Sequence, residues 1–158
     1  ARIVGDGTER SVPVEDMLVG PGRTVLNMGE IVTELEIPDM PDYSGCSYYK
    51  LSPRKSLDLA VVGAAVMIRT DPRVSRCIDA RIVLGAVAPT SMRAKRAEAM
   101  LIGAKPRELT IDAAAQAAAE DSKPLDDVRA SAWYRKRMVE VVVRRTIGLA
   151  LEQVKTRR

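Results

Sequence analysis

Residues 59–69, LAVVGAAVMIR, decide the fold. Apolar side chains fill both parities of this stretch and several are β-branched, so it reads as a strand covered on both faces. Upstream, Cys46, Tyr48 and Lys50 alternate with Ser47, Tyr49 and Leu51, a strand of period two. Downstream, Asp71-Pro72-Arg73 makes a turn and residues 76–87, RCIDARIVLGAV, return. There Asp79 and Arg81 are expected on one face, with Ile78, Ala80 and Ile82 on the other. Consecutive strands with short connections predict a three-stranded antiparallel meander.

Beyond the strands the period becomes helical. Pro89, Thr90 and Ser91 supply a start, residues 92–102 carry Ala94, Ala97 and Leu101 on one stripe, and Gly103 stops the element. Thr110 is expected to cap a second, Ala-rich helix with Asp112 in its first turn, where negative charge is favoured, and Lys123-Pro124 ends it. A last helix runs over residues 130–155. Val139, Val142, Val143, Thr146, Ile147, Ala150 and Val154 fall on one face, and Arg137, Glu140, Arg144, Arg145 and Glu152 on the opposite one. Such a stripe needs a surface to pack on, and the sheet provides it.

Residues 1–38 read differently, as short strands and tight turns around Gly5-Asp6-Gly7, Gly20-Pro21-Gly22 and Asn27-Met28-Gly29, with Thr24–Leu26 and Ile31–Ile37 extended. Pro38, Asp39, Pro41 and Asp42 form the most linker-like stretch, so the boundary falls between residues 1–38 and 39–158. Strands followed by helices predict an α+β domain, its sheet packed against about three helices.

Composition excludes several chemistries. The 158 residues are 46% hydrophobic and 29% charged, the balance of a globular domain, and with no Phe the core is left to Val, Ile, Leu, Ala and Met. The absence of His removes Ser-His-Asp and Cys-His catalysis and most zinc sites. Cys46 and Cys77 lie in no CxxC pattern, which argues against an iron–sulfur or zinc site on this chain and for a reduced, cytoplasmic setting. No apolar run reaches the roughly 18–20 residues of a membrane span. The first residue, Ala1, stands in a segment that already reads as folded, so the chain is expected to be a processed or partial one.

On a strand, Tyr48 and Lys50 project from the same face, so an aromatic plane and an ammonium point into one volume. That combination suits a flat, electron-rich ligand. The plain alternative, which pattern alone favours, is a half-buried Tyr beside an edge-strand Lys. Gly20-Pro21-Gly22-Arg23 lacks both the GxxxxGK[ST] and the GxGxxG spacing and reads as a turn. Trp133-Tyr134-Arg135-Lys136-Arg137 mixes aromatics with bases as nucleic-acid sites do. At the start of an amphipathic helix, though, the Trp is expected to anchor the core and the bases to form the wet face. With 25 basic against 21 acidic residues, no nucleic-acid partner is expected.

Four segments, GPGRTVLNMGEIVTELEIP (20–38), YYKLSPRKSLDLAVVGAAV (48–66), RIVLGAVAPTSMRAKRAE (81–98) and SAWYRKRMVEVVVRR (131–145), occur in an order that resembles the FAD-binding medium subunit of the molybdenum hydroxylases. That group includes xanthine dehydrogenase and aerobic carbon monoxide dehydrogenase. The resemblance implies that residues 1–38 are the C-terminal end of an FAD-binding domain and residues 39–158 the medium subunit's C-terminal domain. It implies an FAD-dependent oxidoreductase subunit that relays electrons from iron–sulfur clusters through flavin to an acceptor. The molybdenum cofactor and [2Fe-2S] clusters then belong to a large and a small partner subunit of a hetero-oligomer. The family's two Gly-rich pyrophosphate loops are missing, so this piece alone is not expected to be competent. By resemblance, Val32 in Glu30-Ile31-Val32 supplies backbone groups near the isoalloxazine. Lys50 lies close to the flavin ring, Tyr48 covers it, Arg23 is a further contact, and Asp58 is a structural or electrostatic neighbour. The rival reading is a subunit-docking domain that binds no flavin by itself.

Overall fold

The computed structural model describes residues 1–54 and 58–156. The basic stretch Ser52-Pro53-Arg54-Lys55, which the sequence places in a loop after Lys50, runs into residues 55–57, which lie outside the described residues. The chain divides into two compact units, Ala1–Asp39 and Met40–Arg158.

The first unit holds β1 (Arg2–Gly5), β2 (Thr8–Ser11), β3 (Leu18–Gly20), β4 (Arg23–Thr24) and β5 (Ile31–Glu34). One antiparallel sheet has the order β2-β1-β5, and β3 pairs with β4 separately. Asp6 and Gly7 take φ values of 49° and 72°, the consecutive positive pair that a tight hairpin requires. β5 ends at Glu34, short of the expected Ile37. Ile3 is the one buried hydrophobic side chain described in this unit.

The second unit contains β6 (Ser44–Leu51), β7 (Val62–Thr70), β8 (Cys77–Gly85), β9 (Met92–Arg93), α1 (Lys95–Leu101), α2 (Glu108–Asp121) and α3 (Ala132–Thr156). Its sheet is antiparallel with the order β6-β7-β8-β9. The expected meander is present, and β9 adds a fourth strand from residues whose pattern reads as the start of the first helix. Glu98 explains how so short a strand is held. Its carboxylate accepts the Ile82 N–H at 2.8 Å and grips Arg93 at 2.6 and 2.8 Å, so α1 completes the sheet edge that β9 leaves open.

Ala-rich α2 lies between α1 and α3, with Ala114, Ala115, Ala117, Ala118 and Ala119 buried, because small side chains let helices approach closely. It starts at Glu108 after an extended Arg107 and has no side-chain cap, so Thr110 sits inside the first turn instead of capping it. Gly103, at φ 84°, follows α1 as the expected stop. On α3 every residue of the expected stripe from Val139 to Val154 is buried. Each fully buried Val, Ile or Leu contributes roughly 1.5–3 kcal/mol relative to exposure. Gly45 fixes how closely α3 approaches β6, since a Cβ there would lie 2.0 Å from the Ala150 carbonyl oxygen.

Two expectations about the sheet are corrected. Val62, Ala64, Val66 and Ile68 are buried against the helices, but the other parity of β7 is not roofed by any described element of this unit. That side is apolar because Gly63 and Ala65 are small, not because a second layer covers it. On β8 the register shifts opposite Arg69 and Thr70, which pair with Asp79 and Cys77. Ile78 is the extra residue of this bulge and is exposed, so Cys77 joins Ala80 and Ile82 inside in its place.

Candidate functional site

β6 lies at one edge of the sheet, and its two faces have opposite fates. Tyr49 points to the helices, where its hydroxyl accepts a 2.7 Å hydrogen bond from Arg145 and the guanidinium carbon sits 4.9 Å from the ring centroid. Tyr48, one residue earlier, points to the open side and is 64% exposed. Cys46 and Lys50 share that exposed face with it.

The open face carries a glycine patch beside these side chains, with Gly63 buried under the Tyr48 ring. Lys50 pairs with Gly63, which pairs in turn with Gly85, so two of three strands present only backbone along that row. A Cβ on Gly63 would lie 3.2 Å from Tyr48 Oη and 3.6 Å from Cε2. The Tyr48 ring therefore leans over Gly63, the residue that pairs with Lys50. At Gly85 a Cβ would meet nothing within 4 Å, so the patch is open there.

The Lys50 ammonium is tethered. Its Nζ donates to the backbone carbonyl of Asp58 at 2.9 Å, across the loop that joins β6 to β7. The Asp58 carboxylate accepts the N–H groups of Leu59 at 2.9 Å and Arg54 at 3.0 Å, with the Arg54 side chain at 3.4 Å. Burial raises the Asp58 pKa, but these donors outweigh it and hold the carboxyl below its ordinary value.

Val32 and Arg23 belong to the first unit. Val32 stands in β5 opposite Ile3, and Arg23 is exposed on two-residue β4 after the Gly22 turn. The turn leading into β5 is held by Glu30, which accepts from Arg10 at 2.8 and 3.0 Å and from the Asn27 N–H at 2.7 Å. The Arg10 hydrogen bonds, with that of Asn27, lower the Glu30 pKa to about 2.

The start of α3 reverses its expected reading. Trp133 is 71% exposed, above a groove formed with Gln116, Glu120, Lys136, Arg137 and Glu140, while Arg135 is only 3% exposed. Arg135 donates to the carbonyls of Val61 at 3.0 Å and Ala86 at 2.9 Å, and its Nη2 stands 2.6 Å from Asp127 Oδ1. It staples the ends of β7 and β8 to α3. The signal was present in the helical period. Stepping back from Val139 and Val142 by four and seven residues reaches position 135, not 133.

A small antiparallel sheet, backed by helices on one side and covered by no described element of its own unit on the other, defines a two-layer α+β domain. The chain belongs to the family described as the CO dehydrogenase flavoprotein C-terminal domain, which matches residues 47–150. It is 32% identical over 147 residues to the 6-hydroxypseudooxynicotine dehydrogenase complex subunit alpha of Paenarthrobacter nicotinovorans, covering 93% of this chain and 49% of that one. It is 32% identical to the carbon monoxide dehydrogenase medium chain of Hydrogenophaga pseudoflava, covering 92% and 50%. Among solved structures, quinoline 2-oxidoreductase from Pseudomonas putida 86 superposes with a TM-score of 0.87 at 31% identity, covering 97% of this chain and 52% of that one. The chain thus spans about half the length of the relatives it matches, which agrees with the C-terminal portion of a medium subunit expected from the four segments. Among the described residues, no helix is long and apolar enough to cross a membrane.

Proposed function

We propose that this chain is the C-terminal part of the FAD-carrying subunit of a molybdenum hydroxylase-type oxidoreductase, and that the open face of β6 borders the flavin. The observation that carries this reading is the shared exposed face of Tyr48 and Lys50, with the Tyr48 ring over Gly63 and open space at Gly85 beyond it. The residues fit such a group: a flat ring needs an uncluttered surface, an aromatic neighbour and a cation where negative charge develops. FAD supplies two-electron storage between single-electron iron–sulfur clusters and an acceptor. The protein contributes position and field. Lys50 places an ammonium where it stabilises added negative charge, Tyr48 covers one flank, and the tether to Asp58 fixes the ammonium.

Val32 and Arg23 are proposed flavin contacts on the sequence match of residues 20–38, and residues 1–38 are proposed as the end of the FAD-binding domain. The partners proposed are a small subunit with [2Fe-2S] clusters and a large subunit with the molybdenum cofactor, in a hetero-oligomer. Two free cysteines support a reducing, cytoplasmic setting. One observation favours the rival docking role as a second function of the same domain: Leu125, Val128 and Trp133 are all strongly exposed around the α2–α3 connection.

The test is Lys50→Met in the complete subunit. A lowered flavin midpoint potential at full flavin content supports the reading. Unchanged potential and unchanged flavin content dispose of it.

A further inference from the structure

The loop between β6 and β7 contains a device that the flavin reading alone does not require. Two different parts of Asp58 hold two different parts of the chain. Its carboxylate reaches back to the Arg54 N–H and forward to its own neighbour's N–H at Leu59, which folds the described ends of the loop together. Its backbone carbonyl, fixed by that fold, faces the strand and accepts the Lys50 ammonium at 2.9 Å. The Asp58 side chain is only 15% exposed, whereas the Arg54 side chain is 79% exposed. The exposed guanidinium, at 3.4 Å, is therefore the weaker part of the clamp, and the backbone N–H groups are the stronger. Lys50 itself is an exposed side chain with many rotamers on an edge strand, so one carbonyl at the right place decides where its charge resides.

We propose that Asp58 is a positioning residue: its carboxylate shapes the loop so that its carbonyl holds the Lys50 ammonium over the open sheet face. This rests on the reading that Lys50 borders the flavin, and it goes beyond that reading by assigning control of Lys50 to a residue that need not touch the ring. A direct charge effect and a positioning effect have opposite signs. Removing a negative charge near a flavin favours its reduced form and raises the potential. Releasing Lys50 withdraws a positive charge and lowers it.

The experiment compares Asp58→Asn, Asp58→Ala, Lys50→Met and the Asp58→Asn/Lys50→Met pair in the complete subunit. Two readouts are used. The first is the acetylation rate of Lys50 in flavin-free protein by mass spectrometry, with Lys105 and Lys136 as internal references. The second is the flavin midpoint potential of the loaded subunit. The proposal expects Lys50 to acetylate several-fold faster in both Asp58 variants, with Lys105 and Lys136 unchanged. It expects Asp58→Asn to lower the potential in the wild-type background and to produce no further fall with Lys50→Met. Lys50 acetylation at the wild-type rate overturns it, whatever the potential does. A potential that rises in Asp58→Asn while Lys50→Met lowers it also overturns it, because Asp58 then acts by its own charge. Failure of the underlying flavin reading has a separate signature: Lys50→Met leaves the potential unchanged, while the acetylation arm still decides whether Asp58 holds Lys50.

Discussion

Tyr48 and Tyr49 are neighbours in sequence and have nothing else in common. Tyr49 is fastened to α3 through Arg145 on a face closed by helices, and Tyr48 lies over Gly63 on a face that no described element of its unit covers. The pleat sends them to opposite sides, so one strand serves stability with one set of residues and presents the proposed flavin-facing surface with the other. The two faces should therefore respond to mutation in different currencies. The covered face should change folding free energy, and the open face should change flavin properties at nearly constant stability.

The largest separation is expected at two glycines. Gly45→Val drives a side chain into the Ala150 carbonyl and should cost about 3 kcal/mol or more, read by urea unfolding. Gly85→Ala on the open side adds a Cβ that meets nothing, and should stay within about 0.5 kcal/mol of wild type. Equal losses at both positions would erase the distinction between the faces.

Next comes the start of α3. Arg135→Met leaves the carbonyls of Val61 and Ala86 without their donor and should cost about 2–3 kcal/mol, whereas Trp133→Ala should cost less than about 0.5 kcal/mol. A Trp133 loss larger than the Arg135 loss would restore the reading of Trp133 as core anchor.

Smaller again is the Tyr49–Arg145 contact, where Tyr49→Phe should cost about 1 kcal/mol and Tyr48→Phe close to nothing in the same assay.

Acid provides a graded version of the same contrast. Backbone N–H donation from Arg129, the bond to Arg135 and that from Ala130 lower the Asp127 pKa to about 2, below the ordinary carboxyl value near 3.9. A depressed carboxyl contributes stability that is complete above the unfolded-state pKa and is lost as pH falls through the folded one. Stability should therefore decline between about pH 4 and pH 2. Asp127→Asn should flatten that share of the decline.

Much of the second unit was legible because long apolar periods leave little choice. The meander from Cys46 to Val87 and the stripe from Val139 to Val154 follow from parity and from the 3.6-residue repeat. What escaped depended on single residues. β9 was hidden because two strand residues precede α1 without a pattern of their own, and spacing does not show that buried Glu98 helps to hold them against β8. Ile78 looked like a core residue because parity alone cannot register a bulge. The run at 59–69 looked covered on both faces because Gly and Ala count as apolar in a pattern, while in space it is the Tyr48 ring from the neighbouring strand that lies over Gly63. Of the candidate site, the shared face of Tyr48 and Lys50 was readable from period two. The lean of the Tyr48 ring over Gly63 and the hold of Asp58 on Lys50 were not, since both depend on loop and cross-strand geometry that spacing does not encode.

The claim beneath all of this is that Tyr48 stands against the flavin ring, and the fluorescence lifetime of FAD in the complete subunit tests it most directly. A phenol in contact with an excited isoalloxazine quenches it by electron transfer. Tyr48→Leu should therefore lengthen the lifetime several-fold at unchanged flavin content and unfolding midpoint. A lifetime identical to wild type, with FAD fully bound, would place the flavin elsewhere and contradict the account.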